Sequence, residues 1–119
     1  MLTEGAVDRD GGVLDYCRLH GITVQAWSPF QFGYFEGVLL GNTDKFPQLN
    51  RTLDDLSDQY GVTPTAIAAA RALRHPANIQ LLAGTTNLGR MEEILRGSAV
   101  SLSREDWYAL YLSAGHVLP

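Results

Sequence analysis

The chain has a single cysteine, and no apolar stretch approaches the roughly 20 residues that are needed to span a bilayer. One cysteine, Cys17, cannot form a disulfide within the chain, which is typical of proteins from a reducing compartment. The first residues, MLTEGAVDRDGG, lack the basic and apolar segments of a secretion signal. The sequence therefore predicts a cytoplasmic protein that does not enter a membrane.

Positive charge is also scarce, with 9 Lys and Arg residues against 13 Asp and Glu residues and a net charge of -4. This balance gives no general attraction to nucleic acids or anionic membranes, so any phosphate binding must be local. The phosphate-loop patterns GxGxxG, GxxxxGKS and GxxxxGKT are missing, and no residues show metal-ligand spacing. With 119 residues, of which 45% are hydrophobic, we expect one domain over residues 1–119, irregular at residues 1–11.

The first half of the chain shows one helical pattern and one strand pattern. Residues 13–19 carry apolar side chains at helical spacing, and Gly21 follows them, which predicts a short helix with a C-terminal glycine. Residues 22–27, ITVQAW, alternate in polarity and predict a strand that a proline ends. Residues 28–50 have no clear period and are expected to form a long loop with room for a turn of helix. Loops of this length are usually functional.

Four helices and a second strand are predicted after residue 50. Thr52, with Asp55 three residues later, forms a capping box for a helix that ends at Gly61. Thr63 and Pro64 provide the cap and the first residue of the next helix. The remaining segments are a strand at residues 79–83, a helix with Met91, Ile94 and Leu95 facing inward, and a last helix opened by Ser103 with Trp107, Leu110, Tyr111 and Ala114 buried. Strands separated by helices predict parallel pairing in an α/β architecture.

The junction between the second strand and the following helix has the composition of a phosphate site. Gly84 lets the backbone approach a ligand, and Thr85, Thr86 and Asn87 add polar side chains beside the free amides of a helix N-terminus. Arg90 adds a positive charge in the first helical turn, where it is otherwise mildly unfavourable. In the alternative interpretation, Asn87 is a simple N-cap, Arg90 is solvated, and no ligand binds.

Three blocks of the sequence resemble the C-terminal part of the aldo-keto reductase family, from about residue 12 to residue 114. They are LDYCRLHGITVQAWSPF, DDLSDQYGVTPTAIAAARALRHPANIQLLAGTTNLGRMEEIL and LSREDW. Within the family, the chain looks closest to the bacterial YdhF-like branch. Members are (β/α)8 barrels that reduce carbonyls to alcohols with NADPH. The resemblance therefore implies a helix-rich, partial (β/α)8 TIM barrel of α/β class, made of the last two βα units, with strands near 22–27 and 79–83, plus the C-terminal helix.

The resemblance also implies which residues bind NADP(H). Trp27 takes the position of an aromatic residue that stacks on the nicotinamide ring, and the strand alternation directs it into the barrel mouth with Thr23 and Gln25. A core tryptophan at the strand end is the alternative. Arg90 matches the residue that pairs with the 2′-phosphate, and Glu93 matches one that contacts the adenine amino group. The other implied cofactor-binding residues are Ser28, Pro29 and Phe30 on the pyrophosphate side and Gly84, Thr85, Thr86 and Asn87 in the adenosine-phosphate loop.

The family's catalytic aspartate, tyrosine, lysine and histidine belong to the first half of the barrel, and no residue here matches them. A complete barrel needs about 250 residues. The resemblance therefore implies an NADPH-binding C-terminal portion of a reductase, with no catalytic residues and no activity of its own. The substrate is not readable, because Phe32, Tyr34 and Phe35 in the long loop could line a substrate mouth or only pack the loop.

Two alternative functions stay open. A free-standing barrel fragment would expose its strand edges and the side chains of Thr23, Gln25, Trp27 and Gln80, and would self-associate through edges and apolar faces as a structural or interaction module. Residues 53–75 also have the spacing of a DNA-binding helix-turn-helix. Their first helix is acidic, however, and the second offers few side chains that read bases, so we expect no nucleic acid as a partner.

Overall fold

The computed structural model describes residues 12–33 and 36–118 of the chain. In chain order, the helices and strands are α1 Gly12–Leu19, β1 Val24–Ala26, α2 Pro47–Tyr60, α3 Pro64–Leu73, β2 Ile79–Leu81, α4 Leu88–Gly97 and α5 Arg104–Ser113. The expectation that residues 1–11 are irregular lies outside the described residues. Within these ranges, no helix combines the length and apolarity that crossing a membrane requires.

The two strands form a parallel pair, as their separation by helices predicts. Val24 is the partner of Ile79, and the helices α2 and α3 form the crossover between the strands. Both strands are shorter than the predicted segments, although a bond of 3.0 Å from the Leu82 amide to the Ala26 carbonyl extends the ladder. The described part is thus a helix-rich, partial α/β fold with a two-stranded sheet.

The sheet has one polar face and one face that packs against the helices. Gln25 and Gln80 are register partners on the polar face, and the amide of Gln25 donates a hydrogen bond of 3.2 Å to Gln80. Both side chains are exposed, as is Thr23, and Trp27 is 63% exposed. The exposure expected of a strand pair taken from a barrel is confirmed for these four residues.

The helix ends follow the predicted glycine and threonine signals. Gly21 and Gly61 adopt φ angles of 64° and 66°, which a residue without a Cβ tolerates best. The hydroxyl of Thr63 accepts a hydrogen bond of 3.3 Å from the Ala66 amide at the start of α3. These local signals define where α1 and α2 end and where α3 begins.

The predicted capping box at Thr52 is wrong, because α2 begins five residues earlier at Pro47. Phe46 is the N-cap residue and makes no side-chain cap hydrogen bond. Thr52 lies inside the helix, where its hydroxyl donates to the Gln48 carbonyl at 3.1 Å. The proline at the first helical position starts the helix, since it loses no hydrogen bond there.

The core forms where α2, α3 and α5 meet beneath the sheet. Leu53, Ile67 and Leu110 are its largest fully buried side chains. Around Leu110, the side chains of Trp107, Tyr111 and Ala114 are half-buried, which confirms the predicted inner face of α5. Cys17 is also buried, as expected for a small apolar residue.

The prediction that Met91 and Leu95 face inward is wrong. They are 37% and 66% exposed, and only Ile94 of the predicted set is half-buried. The buried residue of α4 is Gly97, which lies against the backbone of α3 near Ala66. A glycine at this contact lets two helices approach closely but adds nothing to a hydrophobic pattern. The periodicity therefore selected the wrong face of α4.

Asn50 is the buried polar residue that holds the long loop on α2. Its Oδ1 accepts a hydrogen bond of 2.7 Å from the Gly41 amide. Its Nδ2 donates to the carbonyls of Leu39, Asn42 and Phe46 at 3.0, 3.1 and 3.0 Å. One amide side chain thus satisfies backbone groups across residues 39–46, none of which belongs to a helix or strand.

The predicted loop aromatics have different outcomes. Phe32 packs edge-on against Phe46, with ring centroids 4.9 Å apart, and the Lys45 ammonium lies 4.6 Å from its centroid. For Phe32 the structure therefore favours loop packing. Tyr34 and Phe35 lie outside the described residues.

A hydrogen-bonded cluster joins the end of α2 to the start of α5. The Tyr60 hydroxyl donates to the Asp106 carboxylate at 2.6 Å and accepts from the Ser103 amide at 3.1 Å. The Ser103 hydroxyl caps α5 by accepting from the Asp106 amide at 3.0 Å. The hydrogen bond from Tyr60, followed by the bond from Ser103, holds the pKa of Asp106 below its ordinary value of 3.8.

Replacing Tyr60 by phenylalanine is expected to lower the free energy of unfolding by about 1 kcal/mol at neutral pH, since the lost bond reaches a charged but partly exposed carboxylate. The folded-state pKa of Asp106 is depressed, so this stabilisation is present above pH 3.8 and disappears as the pH falls through the folded-state pKa. Urea unfolding of the wild type and of Tyr60→Phe at neutral and acidic pH measures the difference in their free energies of unfolding. An equal difference in the free energy of unfolding at both pH values would contradict a stabilising bond from Tyr60 to the charged Asp106 carboxylate.

Candidate functional site

The loops that follow the two strands meet at the carboxyl edge of the sheet and enclose a cleft of about 450 Å³. Because the strands are parallel, their C-terminal ends lie at the same edge of the sheet. The loops that follow β1 and β2 therefore begin side by side at this edge. Seven of the ten residues predicted to bind a cofactor line this cleft: Ser28, Pro29, Phe30, Gly84, Thr85, Arg90 and Glu93.

Three predicted residues lie beside the cleft and not in its wall. Trp27 directly follows β1 and is exposed, and Thr86 is exposed on the second loop. Asn87 is the N-cap of α4, where its Oδ1 accepts a hydrogen bond of 3.1 Å from the Arg90 amide. Asn87 therefore performs the capping role of the alternative interpretation, while Arg90 lies in the cleft wall.

The first loop is held by its own backbone. Ser28 has a φ of 48°, which is uncommon for a residue other than glycine, and its carbonyl accepts from the Gln31 amide at 3.1 Å. The Leu39 amide donates to the Phe30 carbonyl at 2.8 Å, and Gln31 forms an antiparallel bridge with Val38. The loop thus turns back on itself, and Gln31 and Val38 become part of the cleft wall.

The second loop approaches the cleft through Gly84. Its φ of 60° is in the left-handed region, and a Cβ there would have only the Leu82 carbonyl within 4 Å. The position is therefore open among the described residues, and its conformation favours glycine. The Thr85 hydroxyl accepts from the Asn87 amide at 3.1 Å, which orients the chain into α4.

The charges of the site come from the first two turns of α4. Arg90 is exposed on the cleft wall, and Glu93 is half-buried one turn later. The first amide groups of a helix have no partner within the helix, and its dipole is positive at this end. The cleft can therefore hold an anion near Gly84 and Arg90, while Glu93 can accept a hydrogen bond from a neutral donor further along the wall.

The sequence interpretation missed Thr65 as part of the wall. Thr65 belongs to the first turn of α3, and it lines the cleft together with Leu40 and Ala83. Its only sequence signal is its place beside the cap of α3, which carries no information on a distant loop. Only the packing of α3 against α4 brings it to the site.

The sequence pattern of the aldo/keto reductase family matches residues 6–111. Two curated relatives named 6-dehydroglucose reductase are similar to the chain. The one from Agrobacterium fabrum is 33% identical over 103 residues, which are 87% of this chain and 33% of the relative. The one from Novosphingobium aromaticivorans is 31% identical over 111 residues, which are 92% of this chain and 36% of the relative. The chain thus spans about a third of their length.

A solved structure of a thermostable aldo-keto reductase in complex with the inhibitor epalrestat shares the fold, with a TM-score of 0.67 and 24% sequence identity. The match covers 89% of this chain and 34% of that one. Membership in the YdhF-like branch stays a prediction. Because the family pattern extends over most of the residues, the chain belongs to the aldo-keto reductase family.

Proposed function

We propose that the chain is the NADPH-binding portion of an aldo-keto reductase of the cytoplasm. The observation that carries this proposal is the cleft at the carboxyl edge of the sheet, where residues of both strand-following loops and the first turns of α4 share one wall. Such edges of parallel sheets are the usual place for ligands in α/β proteins. The net charge of -4 makes a local cation necessary for phosphate binding, and Arg90 provides it.

The residues present fit a dinucleotide phosphate. Gly84 has no side chain to block the backbone, and Arg90 offers a planar guanidinium that suits a phosphate. Glu93 is a suitable acceptor for an amino group. Trp27 is exposed at the end of β1, where its ring can stack on a flat group. The nicotinamide cofactor, when bound, supplies hydride to a carbonyl carbon, and this chain contributes binding and orientation.

Catalysis is not part of the function proposed for this chain alone. The chain spans about a third of its curated relatives, and the family's catalytic aspartate, tyrosine, lysine and histidine have no match in its sequence. For a complete protein, the relatives' name, 6-dehydroglucose reductase, makes an oxidised sugar the first substrate to assay.

Replacing Arg90 by alanine is expected to weaken NADPH binding at least about tenfold, or roughly 1.4 kcal/mol, because a charge-assisted bond to the 2′-phosphate is lost. NADH lacks this phosphate, so its affinity should change little. Quenching of tryptophan fluorescence during titration with each nucleotide measures both affinities.

Arg96 provides the matched control, since it is an exposed arginine in the last turn of the same helix. Arg96→Ala should leave both affinities unchanged. Equal losses of NADPH affinity in the two variants would show that the Arg90 effect comes from the net charge of the protein and not from a local contact. Absence of saturable binding up to millimolar NADPH would contradict the proposal for this chain.

A second candidate function is self-association as an interaction module. It is favoured by an apolar stripe on α4, where Leu88 and Leu95 are 78% and 66% exposed, and by the two-stranded sheet, whose strands each pair on one side within the described part. Unpaired strand edges and exposed apolar faces recruit partners.

Sedimentation equilibrium at high micromolar concentration is expected to give a mass above that of the monomer. Changing both Leu88 and Leu95 to glutamate should lower this mass, because charge cannot be buried in an apolar contact without a partner. Ala109→Glu, at an exposed position of α5, is the control. A wild-type protein that stays monomeric would contradict self-association.

The helix-turn-helix alternative has less support. The helix α3 would have to enter a DNA groove, but it packs between α2 and α4. Ala66, Ile67, Ala69 and Ala70 of this helix are buried. A buried helix cannot present its side chains to bases.

A further inference from the structure

A second cavity, of about 140 Å³, lies between the sheet and the helices, on the side away from the glutamine pair. Its described lining includes Ala26 and Ile79 from the strands and Leu53, Ala68 and Leu110 from three helices. An engineered apolar cavity of about 150 Å³ in another protein stays dry and binds benzene. The volume and carbon-rich wall of this cavity therefore suit a single small ring.

Two ionisable side chains, Arg71 and His75, also line the cavity, and both are partly buried. Burial lowers the pKa of the Arg71 guanidinium, and burial, followed by the charges of Arg18 and Arg71, lowers the pKa of His75. The Arg71 guanidinium stacks 4.9 Å from the centre of the Trp107 ring, and the His75 Nδ1 accepts from the Ala77 amide at 3.2 Å. Both groups are already engaged, so a charged ligand would lose water with little compensation.

Aromatic side chains at the cavity favour a flat occupant. The rings of Trp107 and Tyr111 are nearly parallel, at 11°, with centroids 5.9 Å apart. Phe30 contributes a ring from the loop after β1. Aromatic pairs gain stabilisation beyond the burial of their area, so an aromatic ligand would be preferred over an aliphatic one of the same size.

The cavity and the cleft share a wall. Pro29 and Phe30 line both of them, and the preceding Ser28 has the uncommon φ of 48°. A molecule in the cavity would therefore press on residues that also shape the cleft, since close-packed interiors transmit such displacements.

We propose that this cavity binds a small uncharged aromatic molecule, and that Pro29 and Phe30 transmit its presence to the cleft. The binding site itself does not depend on what the cleft holds. The regulatory meaning of the transmission rests on the proposed nucleotide function.

Titration of the full 119-residue chain with benzene, followed by amide ¹H–¹⁵N spectra, tests the proposal. We expect saturable shifts at Ala68 and Ala114, which both line the cavity, and at Gln31 and Thr85, which belong to the described lining of the cleft and not to that of the cavity. The absence of saturable shifts at Ala68 and Ala114 would overturn the binding site. Shifts at Ala68 and Ala114 without any at Gln31 and Thr85 would overturn the transmission to the cleft.

Cavity-filling variants locate the bound ring. Ala68→Leu, in α3, should reduce the benzene affinity at least about tenfold. Ala114→Leu, at the C-terminal end of α5, should have the same effect and serves as the second test if the first variant folds poorly. Ala109→Leu adds the same atoms at an exposed position of α5 and should leave the affinity unchanged. Unchanged benzene binding in both filled variants would place the ring elsewhere and overturn the proposal. A failure of NADPH binding in the Arg90 experiment would leave these results untouched.

Discussion

Replacing Asn50 by leucine is expected to lower the free energy of unfolding by about 3 kcal/mol. Leucine has a similar volume but no polar atoms, so the Gly41 amide and the carbonyls of Leu39, Asn42 and Phe46 lose their shared partner. Each buried polar group left without a partner costs about 1–3 kcal/mol, although relaxation of a loop recovers part of the sum. Urea unfolding followed by circular dichroism measures the change.

Gln48→Leu is the matched control, because Gln48 is an exposed amide side chain on the same helix. It should change the stability by no more than about 0.5 kcal/mol. On the proposed function, the Asn50 variant should also bind NADPH more weakly, since Leu40, which lies within the loop that Asn50 holds, lines the cleft. An Asn50 variant as stable as the control would show that the loop is held by other contacts.

Replacing Gly97 by alanine is expected to destabilise the protein by about 1–3 kcal/mol, the usual cost of overpacking. The added Cβ would lie 2.6 Å from the Ala66 carbonyl oxygen and 2.7 Å from the Ala69 Cβ. The first of these atoms is helix backbone and cannot rotate away. The two helices must therefore separate, which weakens the contact of α3 with α4 along its length.

Gly89→Ala tests whether the effect belongs to the contact or to glycine itself. Gly89 is an exposed residue of the same helix, and a Cβ there meets the capping Oδ1 of Asn87 at 3.3 Å, a side-chain atom that need move only slightly, and no helix backbone of a neighbour among the described residues. Alanine has the higher helix propensity, so this variant should remain within about 0.5 kcal/mol of the wild type or exceed it. Thermal unfolding distinguishes the two variants, because 1 kcal/mol corresponds to about 4 °C in a domain of this size. Similar losses of stability in both variants would contradict the role of the close contact between Gly97 and α3.

The order of helices and strands was predictable from the sequence because its signals are local. Gly21 and Gly61 mark helix ends through their own backbone angles, and Thr63 caps α3 through a bond to a residue three positions away. The parallel pairing followed from the helices between the strands. The cleft could be foreseen in outline because both of its main loops directly follow strands.

The features of the fold and of the cleft that the sequence did not predict depend on contacts between distant segments. The exception is Thr52, which fits a capping pattern although Pro47, an equally local signal, has already started the helix. The inner face of α4 is set by the closeness of α3 to Gly97, a residue with no hydrophobicity to detect. Thr65 reaches the cleft only after α3 and α4 have packed. A pattern within one segment carries no information on these neighbours.

The parallel strand pair has a consequence for the order in which the chain assembles. Gln25 and Gln80 are 55 residues apart, so the pairing of their strands closes a long loop and costs more conformational entropy than the contact of α2 with α3, which adjoin in sequence. Contacts of large sequence separation are slow to form. The cleft lies at the end of this non-local pairing, so its walls are complete only when the strands have paired. A ligand that binds the completed cleft would therefore stabilise the paired state selectively.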